Sequence, residues 1–154
     1  MKTFLIIFLL FPSVLFGQFI TTAGGGPDTQ GDTKGWVSPS GKEDDAWTDA
    51  EYIYDGNILT SGKESTNGQS VILTIPSISC NKVRLNAGKV EGGEANLKVE
   101  VYYSAAFHQI HSAVLTEDTW VEINVGSTED ITKVKLTTND GINSEVWEFE
   151  FWSL

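Results

Sequence analysis

Apolar residues recur at every second position in six stretches of the chain. In the stretch SVILTI, which begins at Ser70, every second residue is Val, Leu or Ile. The same period of two appears in residues 82–87, 97–103, 120–125, 133–136 and 147–151. This period places alternate side chains on opposite faces, as in a half-buried antiparallel strand. We therefore expect six strands, each with apolar residues on one face and polar or charged residues on the other.

Turn-forming residues separate these stretches at Pro76-Ser77, Gly92-Gly93, Gly126-Ser127 and Asn139-Asp140-Gly141. Many short strands at this spacing are typical of a two-sheet sandwich or a barrel. Residues 44–54 are the one segment whose pattern permits a short helix. The sequence therefore predicts an all-β, antiparallel domain without an internal repeat or a second domain.

The start of the chain has a different character. Residues 1–17 combine a short basic start with an apolar run ending at Phe16, which is the pattern of a secretory signal peptide cleaved after Gly17. The run is shorter than the ~20 residues of a membrane-spanning helix. The alternatives are cleavage after Ala23, a buried N-terminal helix and an uncleaved membrane anchor. Residues 18–35 are rich in glycine and predict a flexible leader. Residues 36–154 are then the folded domain, and the protein is expected to be secreted.

Charge excludes one class of partner and favours another. The 154 residues include 21 Asp and Glu against 10 Lys and Arg, a net charge of −11. Such a surface repels nucleic acids and anionic membranes and is compatible with divalent cations and neutral ligands. We expect no nucleic-acid partner and no stable membrane insertion after signal cleavage. The single cysteine, Cys80, lies in an apolar strand pattern and is expected in the core.

Catalytic motifs are missing from the sequence. It contains no Gly-x-Ser-x-Gly, no His-Glu-x-x-His and no glycine-rich phosphate loop. Nothing selects a pair of carboxylates for glycoside hydrolysis from the 21 acidic residues. The protein is therefore not expected to be an enzyme.

The segment around Asp55 contains the most informative group of polar residues. Asp55, Gly56 and Asn57 supply a carboxylate, a residue tolerant of positive φ and an amide in three positions. Thr60, three residues after Asn57, can place its hydroxyl and its carbonyl oxygen close to the same turn. Oxygen-rich loops suit Ca²⁺, which takes six to eight oxygen ligands. An ordinary hairpin turn is the alternative interpretation of these residues.

The order of several motifs along the chain resembles a known family. Trp47, then Tyr-Asp-Gly-Asn-x-x-Thr at residues 54–60, then Glu-Phe-Glu-Phe-Trp at residues 148–152, is similar to the galactose-binding-like jelly roll. This group includes discoidin (coagulation-factor C-type) domains and many carbohydrate-binding modules. The resemblance covers residues 36–154 and implies an antiparallel jelly-roll β-sandwich. The chain departs from the family at Ser61-Gly62, where many members have an aromatic residue, and in lacking paired terminal cysteines.

The resemblance also implies a structural Ca²⁺ between the loop and the last strand. Its ligands would be the Asp55 carboxylate, an Asn57 carbonyl, the Thr60 hydroxyl and carbonyl, and the Glu148 carboxylate. Glu150 has the same strand parity as Glu148 and is the alternative.

A carbohydrate or cell-surface glycan is the partner that the resemblance implies, bound without catalysis through loops at one end. Aromatic rings and hydrogen-bonding side chains hold neutral sugars, and the candidates are Trp36, Trp47, Tyr52, Arg84, Phe107 and Trp120. The alternative role is packing in the core or at a sheet edge for each aromatic residue, and a surface salt bridge for Arg84. The alternative function is a self-assembling structural subunit of an extracellular filament, surface layer or virus-like assembly.

Overall fold

The structure is a computed structural model that describes residues 34–64, 66, 68–139 and 144–154, with only the backbone described at positions 44 and 45. The predicted signal peptide and the predicted leader up to residue 33 lie outside the described residues. Within the described part, no helix is long and apolar enough to cross a membrane.

The predicted all-β, antiparallel fold is confirmed. The described residues form β1 (Gly35–Val37), β2 (Gly41–Asp45), β3 (Trp47–Thr48), a 3-10 helix (Ala50–Tyr54), β4 (Gly62–Glu64), β5 (Ser70–Lys89), β6 (Ala95–Tyr103), β7 (Ala106–Leu115), β8 (Trp120–Thr138) and β9 (Ser144–Ser153). Every strand pair is antiparallel. The short helix falls in the segment whose pattern permits one.

Two of the predicted turns are wrong, because they lie inside long strands. Pro76-Ser77 falls within β5, and Gly126-Ser127 falls within β8. The pairing of these strands shifts register between Thr74 and Ile78. Proline has no N–H for the ladder and glycine permits positive φ, so these residues interrupt the pairing without reversing the chain. Gly126, for example, adopts a positive φ of 102° within β8.

The length of β5 and β8 lets each contribute to two layers of a sandwich. In the first layer, β2 pairs with the start of β5, followed by the end of β8, then β6 and β7. In the second layer, the start of β8 pairs with the end of β5, which pairs with β9. Strands β1 and β4 pair with β9 on its other side. This arrangement is the predicted jelly-roll β-sandwich.

The alternating residues of both layers meet in one hydrophobic core. Fully buried members from several strands are Val71, Leu73, Val83, Leu85, Leu97, Val99, Val134, Leu136, Phe149 and Phe151. Phe149 and Phe151 pack edge to face, 5.0 Å between ring centroids. Cys80 is fully buried in this core, as expected, and burial raises the pKa of its thiol.

The alternation predicted for β9 fails at Trp147. The register of β5 and β9 shifts between Asn86 and Ala87, so Trp147 is an extra residue on β9 and Val146 takes the core position. The partly buried Trp147 indole lies against the backbone of Gly88, where a Cβ would come within 2.5 Å of the ring. The side chain of Glu117 is also close to this position. A glycine at position 88 therefore makes room for the ring.

We expect Gly88→Ala to destabilise the fold by about 1 kcal/mol, because the added methyl group forces the Trp147 ring to move. The control is Gly41→Ala, whose Cβ would meet only the Thr74 side chain, at 3.2 Å. Urea unfolding of both variants measures the difference. Equal free energies of unfolding in the two variants would contradict the packing described for Trp147.

Candidate functional site

Residues 55–60, which we call the Asp55 loop, are held by a compact set of hydrogen bonds. The loop follows the 3-10 helix, whose Ala50 and Ile53 side chains are buried. The Asn57 N–H donates to Asp55 Oδ1 at 2.8 Å. The Thr60 hydroxyl lies 2.8 Å from both Asp55 Oδ2 and the Asn57 carbonyl oxygen. These bonds bring a carboxylate, a carbonyl and a hydroxyl of the loop together.

Gly56 joins this loop to the last strand. Its φ is +77°, a conformation that glycine adopts without strain. Its N–H donates to Glu148 Oε2 at 3.0 Å, across 92 residues of sequence. The structure therefore brings the sequence-predicted residues Asp55, Asn57, Thr60 and Glu148 into one neighbourhood.

Glu148 is a buried carboxylate with one oxygen unpaired. Strand parity places Glu148 on the outer face of the second layer. The residue is nevertheless only 2% exposed, because the Asp55 loop covers it. Its Oε1 is buried and has no hydrogen-bond partner among the described residues. Burial, followed by the negative charges of Asp55 and Glu150, raises the pKa of Glu148 to about 7, while the Gly56 N–H opposes the shift. An unpaired buried acceptor of this kind is costly unless a cation or a proton satisfies it.

The chemistry of these donors fits a hard cation. Two carboxylates, a backbone carbonyl and a hydroxyl are oxygen ligands of the type that Ca²⁺ accepts. Nowhere in the described ranges do three or more His, Cys, Asp or Glu side chains cluster as metal ligands, so neutral oxygens would have to complete the shell. Glu150, the alternative ligand, instead forms an ion pair with Arg84.

Three of the six candidate ligand-binding residues lie together on the outer face of the second layer. The Arg84 guanidinium is 4.4 Å from the ring centroid of Trp36 and 4.3 Å from that of Trp120. Lys82 Nζ is 5.0 Å from the Trp36 centroid and 4.8 Å from that of Trp152. We call the alternating set Trp120, Arg84, Trp36, Lys82 and Trp152 the indole–cation row.

Sequence reasoning missed Lys82 and Trp152 as members of this row. Residues 82 and 84 share strand parity, which is a signal for Lys82. The pairing of Trp36 with Trp152 depends on β1 lying beside β9, and no local pattern reveals it. The row lies on a sheet face, not in the end loops that the family resemblance implied.

The other three candidates lie elsewhere. Trp47 is wrong as a stacking platform, because its indole is only 2% exposed in the core, with Nε1 donating to the Gln69 carbonyl. Tyr52 is 39% exposed on the 3-10 helix. Phe107 lies on the outer face of the first layer, edge to face with Tyr102 at 5.1 Å. The six candidates therefore do not form a single site.

Comparison with solved structures identifies the fold. The chain superimposes on the family 32 carbohydrate-binding module of AlyQ, solved with 4,5-unsaturated mannuronic acid, with a TM-score of 0.59 at 11% identity over 77% of this chain and 98% of that one. The family 32 module of NanJ from C. perfringens, solved with galactose, gives a TM-score of 0.56 at 15% identity, over 79% of this chain and 93% of that one. These matches confirm the fold as the predicted jelly-roll β-sandwich.

A further match places the same fold inside an enzyme chain. Truncated AlyQ, with its carbohydrate-binding and alginate lyase domains, gives a TM-score of 0.60 at 12% identity over 79% of this chain and 34% of that one. No protein-family model and no curated protein sequence matches the chain.

Proposed function

We propose that this protein is a secreted, non-catalytic carbohydrate-binding module whose fold is stabilised by Ca²⁺. The observation that carries the proposal is the placement of three of the five tryptophans, Trp36, Trp120 and Trp152, on one outer face of a fold shared with sugar-binding modules. Indole rings bind the C–H faces of sugars, and neighbouring polar groups select the hydroxyls.

Calcium would serve stability in this proposal. Asp55, Asn57, Thr60 and Glu148 would hold it, and the bound ion would satisfy the buried Glu148 carboxylate and join the loop to β9. The unpaired Glu148 Oε1 supports this role. A cation there also offsets part of the net charge of −11.

The non-catalytic and secreted parts of the proposal have separate support. The chain matches nearly the whole of the separately solved carbohydrate-binding modules of AlyQ and NanJ, but only 34% of the AlyQ chain that also contains a lyase domain. Residues 1–17 have the pattern of a signal peptide.

Affinity electrophoresis tests the proposal. Native gels containing β-glucan, galactan or glucomannan are run beside a polysaccharide-free gel, with serum albumin as the non-binding control and Ca²⁺ present throughout. We expect at least one neutral polysaccharide to retard the protein, and size-exclusion chromatography to show a monomer. Unchanged mobility in every gel, together with large particles in chromatography and negative-stain microscopy, would contradict the proposal and favour a self-assembling structural subunit.

A further inference from the structure

The indole–cation row is held in place before any ligand arrives. Each of its two cations lies between two indoles, and each cation also pairs with a carboxylate of the same face: Arg84 with Glu150, and Lys82 with Glu122 at 2.9 Å. All three tryptophans are partly buried. A surface whose side chains are already ordered loses little conformational entropy on binding.

The charges of this face cancel in pairs. Arg84 and Glu150 compensate each other, as do Lys82 and Glu122. Among the described residues Arg84 hydrogen-bonds only through Nε, so its terminal amino groups remain as donors. A surface that offers donors and rings without net charge, on a protein of net charge −11, suits a neutral ligand.

A polar cavity adjoins one end of the row. This cavity is a depression open to solvent, with a volume of about 270 Å³, and is lined by Asn81, Asn124, Gly126, Ser127 and Thr128, without an ionisable side chain. It forms where β8 loses its pairing with β5, and Asn124 is the register partner of Lys82. The side-chain oxygen of Asn81 is buried without a partner in the described part of the chain. Amide and hydroxyl groups in this arrangement match the hydroxyls of a single sugar ring.

Trp120 marks the other end of the face. Its indole is partly exposed and contacts one cation, Arg84, so part of the ring remains free for stacking. Trp120 and Asn124 share strand parity on β8, and four residues of strand span about 13 Å. A chain of several sugar rings is long enough to reach from the cavity to this indole.

We propose that the outer face of the second layer binds a neutral oligosaccharide, with one ring in the Asn81–Asn124 cavity and later rings along the indole–cation row to Trp120. The inference rests on the proposed function and adds the binding surface and the ligand class. Recognition then occurs on a sheet face, and the end loops are not required.

Isothermal titration calorimetry of the full chain in Ca²⁺ tests this surface. The neutral probes are cellotetraose, galactotetraose and mannotetraose, and the acidic probe is tetramannuronate. We expect one neutral probe to bind, with affinity falling about tenfold in Trp120→Ala and about fivefold in Asn124→Ala. Asn124 is exposed on its strand, so its variant retains the fold. The matched control is Tyr102→Ala, which removes a ring lying under Lys133 on the outer face of the first layer.

Each outcome decides the inference. Losses in Trp120→Ala and Asn124→Ala with unchanged affinity in Tyr102→Ala support it. Neutral-sugar binding that persists in both variants places the site elsewhere and overturns the inference, while the proposed function stands. Binding of tetramannuronate alone overturns the ligand class. Binding of no probe by the wild type, together with no retardation by any polysaccharide, overturns the inference and the proposed function together.

Discussion

We expect removal of calcium at pH 7.5 to lower the melting temperature of the protein by about 10 °C. A ligand at a hundredfold excess over its dissociation constant stabilises the folded state by about 2.7 kcal/mol. For a domain of this size, 1 kcal/mol shifts the melting temperature by about 4 °C. The physical source is the buried Glu148 carboxylate, whose Oε1 has no partner in the described chain.

Differential scanning calorimetry in 1 mM CaCl₂ and in EDTA measures this shift. Asp55→Asn and Glu148→Gln are expected to lose most of the calcium response, because each removes one ligand charge. Glu91→Gln is the matched control, since it removes one exposed carboxylate outside the site. Identical melting temperatures of the wild type with and without calcium would contradict the proposed calcium site.

The metal-free protein is expected to lose stability as the pH rises through about 7. The pKa of Glu148 is raised from 4.5 to about 7 in the folded state. The stabilisation from its protonated form is therefore fully present below about pH 4.5 and is lost as the pH rises through the folded pKa. A shift of this size, reduced for screening by solvent, corresponds to about 2 kcal/mol.

Urea unfolding in metal-free buffers from pH 5 to 8 measures this effect. The informative quantity is the difference in unfolding free energy between wild type and Glu148→Gln, because the other carboxylates contribute equally to both. Between pH 5 and pH 8, we expect the unfolding free energy of Glu148→Gln to rise by about 2 kcal/mol relative to that of the metal-free wild type. A difference that does not change with pH would show that Glu148 titrates normally.

Among the described residues, β5, β6, β8 and β9 follow from local patterns in the sequence, whereas β1 to β4 and β7 were not predicted. Alternation placed Val71, Leu85 and Phe149 in the core, because a strand with one covered face must bury every second residue. The same reasoning failed at Trp147, where the register shift moves the side chain out of the alternating position. Pro76 was predicted to separate two strands, but it interrupts a single strand. Local signals mark an irregularity in the chain without revealing whether the chain reverses there.

The candidate site was less predictable because it depends on contacts between distant segments. The Asp55 loop has a local motif, but the choice between Glu148 and Glu150 depends on Arg84, which holds Glu150 in an ion pair. The meeting of Trp36 with Trp152 depends on the pairing of the first and last described strands. The cavity at Asn81 arises from lost pairing between β5 and β8. No composition or spacing in the sequence encodes these contacts directly.

A glycan array probed with the calcium-loaded protein asks whether this jelly roll recognises carbohydrate at all. We expect selective retention of neutral glycans, with weaker signals for uronic-acid glycans and a reduced signal when Trp120→Ala replaces the wild type. An array on which the folded wild-type protein, with and without calcium, binds no glycan above background would contradict this expectation.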